Sequence, residues 1–476
     1  MARSRTPLLA LFVVALTPLA TQAQDHHFPV TLTSNTTAEE PTFTLEVSVS
    51  WDGAWRDDHN HDALWIVLRA GSRETGWLPI ALESVTPLHD DASAAPLEAH
   101  VPHDGVGAFI RFASPARGTA AATLTARPTP DSASQLLQLD DPQLIAIATE
   151  MVYVPAGGFW IGDTSERALE HASFFRADEQ GNPAARFRVE SEAPIDVGPG
   201  ALLYDPGEGN AAQYRGDAQG PVPESFPKGT NAFYIMKREP TQGLYAAYLN
   251  QLSPEAQQQR RPDLAPGYRE GRGTLTLTRR RQWQADSPNL PLNYATWDDG
   301  MGLLDWLGLR PMTELEFTKA CRGDLDTPAD DYPWGTTSTH ALERTRNDAG
   351  FLLEPDRSSA NPDHRPALGA SPYGVEDLAG STWERCVTLG HPLGRAFQGT
   401  HGDGITTELG LATNPDWPNG ADGGIGYRGG GHYYADHDYR PASFNPHSPV
   451  SWRPYASWKD GPRSVAYAQR GVRTAD

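Results

Sequence analysis

Cysteine is nearly absent: 476 residues hold only Cys321 and Cys386. That excludes a disulfide-dense small scaffold, in which several cross-links replace a large core. Positive charge is in deficit, since 39 Lys and Arg against 60 Asp and Glu leave a formal charge of −21. A phosphate backbone would be repelled at long range, so nucleic acid is not an expected partner. Past the first residues there is no long apolar run, so no transmembrane segment is expected. What is plentiful is Gly (45), Pro (41) and Trp (13). Such a chain is loop-rich, and aromatic side chains carry much of its packing.

The start, "MARSRTPLLALFVVALTPLATQAQD", places Arg3 and Arg5 before an apolar run from Leu8 to Leu19 and a small-residue site ending at Ala23. This is the layout of a signal peptide over residues 1–23, and it implies a secreted, periplasmic or cell-surface protein. About 450 residues then remain, more than one core usually serves, so at least two domains are expected.

From Phe43 to Trp51, "FTLEVSVSW" alternates strictly between apolar and polar residues. A period of two marks a strand with one buried face. Strand patterns recur at 63–71, 76–82, 106–113 and 121–127 with turn-rich spacers, which predicts a β-sandwich over residues 24–148. Between two of them, "DDHNHD" (57–62) has oxygen and imidazole groups that a cation could take, but nothing fixes their geometry and the expectation is a solvated loop.

The character changes at "MVYVPAGGFWIGD" (151–163), and a Gly, Pro and Asp-rich insertion without periodicity follows at 164–229. A helix is predicted to start at Thr241, with Leu244, Tyr245, Tyr248 and Leu249 at helical spacing. A hairpin is expected at 273–283 and a second helix near "WDDGMGLLDWLG". In "RPMTELEFTKACRG", Thr313 and Glu316 have capping-box spacing and Gly323 offers a stop.

The ordered pieces "MVYVPAGGFWIGD", "FYIMKREPTQGLYAAYL", "LNYATWDDGMGLLDWLGLRPMTELEFTKACRG", "YPWG", "SPYGVEDLAGSTWERC", "YRGGG" and "RGVRTA" resemble the formylglycine-generating enzyme and sulfatase-modifying factor family over residues 149–476. The resemblance implies a C-type-lectin-like fold, hence an α+β chain in which an N-terminal β-sandwich precedes a formylglycine-generating-enzyme fold. Fold alone does not select the activity, because relatives oxidise cysteine with copper, do other oxidative chemistry, or display ligand-binding loops.

In the copper enzymes, two cysteines after the Arg-Gly-Gly motif bind the metal as thiolates. Here Tyr434 and Tyr439 stand at or near those positions, and no cysteine follows Cys386. Phenols do not replace a thiolate pair for Cu(I), so neither copper nor formylglycine-generating activity is expected. Family members also bind calcium at a motif like "DLAGSTWE". The resemblance implies Asp377, the carbonyls of Gly380 and Thr382, and Glu384 as ligands, a hard-oxygen set suited to Ca²⁺. Cys321 falls where some relatives carry a bridged cysteine, but Thr474 occupies the partner position. A Cys321–Cys386 disulfide and two buried free thiols both remain open.

From His432 to Trp458 the chain is rich in Tyr, His, Asn, Asp and Ser, the residue types that adaptable binding loops favour. His432, Tyr433, Tyr434, His437, Tyr439, Trp452 and Trp458 are therefore the candidate contacts for a protein or glycan ligand. The same region varies in retroelement-diversified relatives. One alternative is a metal-dependent oxidoreductase that uses His432, His437 and His447 with Asp436 or Asp438. Another is a structural envelope component.

Overall fold

The computed structural model describes residues 26–37, 40–207, 212–339, 369–380, 382–431 and 447–476; the segment read as a leader lies outside them. Nine strands, with one helix, Pro130–Gln138, before the last, come first: β1 His26–Thr37, β2 Glu40–Arg56, β3 Asp62–Ser72, β4 Gly76–Ile80, β5 Leu82–His89, β6 Leu97–His100, β7 Ala108–Phe112, β8 Ala116–Pro128 and β9 Gln143–Val154. The five strands read from alternation fall on β2, β3, β4, β7 and β8. Sequence reading missed β5 because it is mostly exposed and carries Pro87, a residue tolerated only where a sheet ends.

Leu45, Val47, Val49 and Trp51 of β2 are all buried, as their alternation requires. β3 is buried on both faces. Its Leu64, Ile66, Leu68 and Ala70 join an aliphatic core with β2, β7 and β8, while Ala63, Trp65 and Val67 enter the core of the following region. A strand covered on both sides reads as an unbroken apolar run, which is what "ALWIVL" is.

β9 pairs antiparallel with β3 along its length, from Gln143 to Val152. Its other edge takes β1 at Ile145–Ala148 and then strand Phe233–Met236 at Met151–Val154. Strands Gly471–Thr474 and Arg310–Pro311 extend that side, so one 12-stranded sheet runs through both regions. The boundary read between residues 148 and 149 therefore falls inside a strand, with no linker. The change of character there reflects a change of neighbours, since Ala146 and Ala148 serve the aliphatic core while Ile147, Met151, Val152 and Val154 pack into the later region.

Polar groups lock the same seam. Trp65 Nε1 donates to Leu307 O at 2.8 Å, and Lys237 Nζ lies 2.9 Å from both Asp62 and Glu150. His61 Nε2 lies 3.0 Å from Tyr234 Oη, which also accepts from Arg111 at 2.6 Å. "DDHNHD" is thus not one solvated loop. Asp57 turns the chain by accepting from His59 N and Asn60 N, whereas Asn60, His61 and Asp62 are buried.

Beyond β9 the expected helices are present at Gln242–Gln251, Trp297–Trp306 and Glu314–Arg322. Thr313 and Glu316 make both capping-box bonds, and Gly323 closes that helix with φ 62°. The hairpin appears as Leu275–Leu277 against Trp283–Ala285. The described residues of the insertion at 164–229 form short pieces such as Glu166–Glu170, Phe175–Ala177 and Phe187–Val189, too brief to show a period. Phe174, Tyr204, Val222 and Phe226 tie it into the main core. Among the described residues no helix is long and apolar enough to cross a membrane.

Candidate functional site around the glycine turn

Strand Ile425–Arg428 pairs antiparallel with Trp383–Val387 and with Tyr455–Trp458, and Trp383–Val387 pairs parallel with Tyr467–Gln469. Just past Arg428 the chain turns through Gly429 and Gly430 at φ 86° and 82°, backbone closed to most L-residues. A Cβ on Gly429 would also lie 2.6 Å from Leu378 O. Glycine is needed there for both reasons.

Gly429 O accepts from Gly380 N at 2.9 Å and from Ser448 N at 3.0 Å. One carbonyl thus draws together the "DLAGSTWE" turn and the chain that follows residue 446. Arg428 reinforces the pin: its Nη2 donates to Val450 O at 2.6 Å and to Thr318 Oγ1 at 3.1 Å, and its Nη1 lies 3.4 Å from Glu314. The candidate contacts His432, Tyr433, Tyr434, His437 and Tyr439 lie outside the described residues.

Aromatic rings surround this base in distinct groups. Tyr332 and Trp334, from "YPWG", stack at 4.8 Å and meet the edge of His447 at 6.3 and 6.0 Å. Trp452 is half-buried: it stacks on His171 at 3.8 Å, lies under Arg167 and donates to Asp330 at 3.0 Å. Trp458, also half-buried, meets Tyr214, Tyr427 and Tyr455 at 5.1, 5.4 and 5.6 Å. The two tryptophans, expected to act together, therefore have different ring partners. His171 and Tyr214 come from the insertion, which sequence periodicity left blank.

The residues expected to hold calcium are arranged otherwise. Glu384 is wholly buried, and both its oxygens accept from Arg470, at 2.5 to 3.1 Å. A carboxylate used up in that way does not fit a calcium ion. Thr382 donates through N and Oγ1 to Glu239 Oε1, and Asp377 adopts φ 64°. Burial first, then the charges of Asp377 and Glu384, push Glu239 up to about 8. Among the described residues no three His, Cys, Asp or Glu side chains are grouped to hold a metal ion. Sequence reading missed Glu239, Arg470 and Glu314, because a buried charge gives no periodic signal.

Cys321 and Cys386 are free thiols, both buried, so the disulfide alternative does not hold. Burial pushes both thiols far up, which keeps them protonated.

The chain matches the sulfatase-modifying factor enzyme 1-like domain over residues 141–475, beginning just before β9. It is 31% identical over 106 residues to a formylglycine-generating enzyme of Thermomonospora curvata, covering 21% of this chain and 34% of that protein. It is 35% identical over 99 residues to a hercynine oxygenase of Mycolicibacterium thermoresistibile, 20% of each chain. It is also 27% identical over 143 residues to an inactive C-alpha-formylglycine-generating enzyme 2 of Mus musculus, 29% of this chain and 41% of that one. The matched stretch is thus under half of each relative's length.

Proposed function

The chain belongs to the sulfatase-modifying factor enzyme 1-like family, and from that premise we propose that it uses the family scaffold for binding and does not generate formylglycine. The carrying observation is the pinned base: Gly429 O and Arg428 together fix the chain on both sides of residues 432–446. A segment tied down at both ends on a rigid support presents its side chains with less ordering cost on binding. Its Tyr, His, Asn and Asp content suits a protein or glycan partner. In this proposal the leader directs export, and the N-terminal strands form a sandwich that carries the binding domain.

The copper site that formylglycine generation uses is disfavoured by the thiols themselves. That site holds Cu(I) with a pair of thiolates, and the two cysteines of this chain are buried and held protonated. The relative named as inactive supports such a role. Incubation with a sulfatase-type cysteine peptide and copper should give no formylglycine by mass spectrometry; turnover would overturn the proposal. Binding is tested on a glycan array and a displayed-peptide library. Replacing Tyr433, Tyr434 and Tyr439 together by Ala should abolish the signal while leaving the melting temperature nearly unchanged.

The hercynine oxygenase relative favours one competing reading, an oxidoreductase with metal at His432 and His437. Metal analysis of the purified protein separates the two, because one equivalent of tightly held iron or copper lost on His432→Ala would select the enzyme.

A further inference from the structure

Arg470 stands between strand Tyr467–Gln469, which pairs with Trp383–Arg385, and strand Gly471–Thr474, which pairs with Phe233–Ile235. Its guanidinium is fully buried at this junction. Nε lies 3.1 and 3.0 Å from the two oxygens of Glu384, and Nη2 lies 2.5 Å from Oε1. Nη1 donates to Met236 O at 2.7 Å and Nη2 donates to Glu376 O at 3.0 Å. One cation thus gathers a carboxylate and two backbone carbonyls from three separate stretches of chain. A carboxylate and backbone carbonyls converging on one point are also the donors that a calcium ion takes.

We infer that Arg470 is the built-in cation of the Asp377–Glu384 turn, taking the place of the calcium ion that the family resemblance implies. The guanidinium offers five donors in a rigid plane, so it can tie several oxygens at once. It is permanent, whereas an ion has to be acquired. A divalent ion on Glu384 would have to displace the guanidinium from both oxygens and then sit beside its positive charge. Asp377 is a further carboxylate acting on Arg470 and adds to its electrostatic hold. Arg470 immediately precedes the "GVR" of the terminal strand, so the sheet register delivers its side chain to the turn.

Thermal melts of the full chain with chelator, and with millimolar CaCl₂, provide the test. The parent should melt at the same temperature in both, and metal analysis should find no bound calcium. An Arg470→Ala variant should melt lower with chelator and recover part of the loss with calcium, because Glu384 and the two carbonyls become available. A parent destabilised by chelator, or an Arg470→Ala variant indifferent to calcium, overturns the inference. If that variant does not fold, an Arg470→Met/Glu384→Gln double variant decides, since it leaves no lone buried charge. The double variant should fold and ignore calcium; if it is no better than Arg470→Met alone, Arg470 is not serving as the cation for Glu384.

Discussion

Leu64 belongs to a buried cluster of hydrophobic side chains, whereas the buried side-chain partners of Glu314 are two arginines and a threonine. In the nine-strand region the sheet ladders already satisfy the backbone, so its core needs only apolar volume. After residue 155 long stretches have no ladder, and their carbonyls need other donors. Buried arginines supply them: Arg453 donates to Ala172 O, Arg385 to Ala295 O, Arg322 to Gly162 O and Arg428 to Val450 O. Each guanidinium then needs a nearby carboxylate, and Glu314, Asp460 and Asp331 fill that role. A loop-rich core is thus cross-linked by ion pairs where a sheet core is filled by side chains.

The largest expected effect strikes the arginine network. Glu314 accepts from Arg453 at 2.7 and 3.1 Å, from Thr388 at 2.8 Å and from Leu389 N at 2.9 Å. Glu314→Leu leaves two buried guanidinium groups short of a counter-charge, and removing one partner of a buried pair costs about 3–5 kcal/mol. Urea unfolding should show at least that loss. A change below about 1 kcal/mol would mean that the network is incidental.

Next comes the aliphatic core, where Leu64→Ala should cost about 2–5 kcal/mol. The comparison sharpens with conservative swaps. Leu64→Met should cost less than about 1.5 kcal/mol, because volume is kept. Arg453→Lys keeps the charge but loses the planar fork, so it should be far worse tolerated. If the two swaps prove equally mild, the two cores do not differ in kind.

The same contrast explains what the sequence made legible. Alternation located β2, β3, β4, β7 and β8, and the capping box located Glu314–Arg322, because these patterns are local. The family motifs were legible as ordered pieces. Arg470 on Glu384 was not, since their pairing joins residues 86 apart and depends on a sheet register that no local pattern encodes. The arrangement of Trp452 and Trp458 was hidden for a similar reason, because their ring partners lie in the insertion. The central Tyr and His residues of the candidate site remain a sequence-based proposal.

A more gradual effect, smaller within any one pH unit, concerns the seam between the regions. Burial first, then the positive charges of Arg111 and Arg56, lower His61 from 6.5 to about 3. The fold therefore keeps His61 neutral while the unfolded chain takes up a proton below about 6.5. Its contribution is complete above that pH and is lost progressively as pH falls toward 3, by at most about 1.4 kcal/mol per pH unit. Melting temperature should drop through this window in the parent and drop less steeply in His61→Gln. Parallel slopes would show that His61 does not report the seam.

The smallest effect comes from "DDHNHD", where the two environments meet within six residues. Asp58 and His59 are exposed, while Asp62 is buried and lies 2.9 Å from Lys237. Exposed substitutions usually change stability by about 0.5 kcal/mol or less, so Asp58→Ala and His59→Ala should each stay within that margin. Neither should respond to calcium, because the stretch is divided between an Asx-type turn at Asp57 and the buried seam. Asp62→Ala removes one of the two carboxylates on Lys237 and should cost several times more by urea unfolding. If all three variants lose the same stability, the six residues act as one unit and the seam does not divide them. A loss at Asp58 that calcium restores would instead mark the stretch as a cation site.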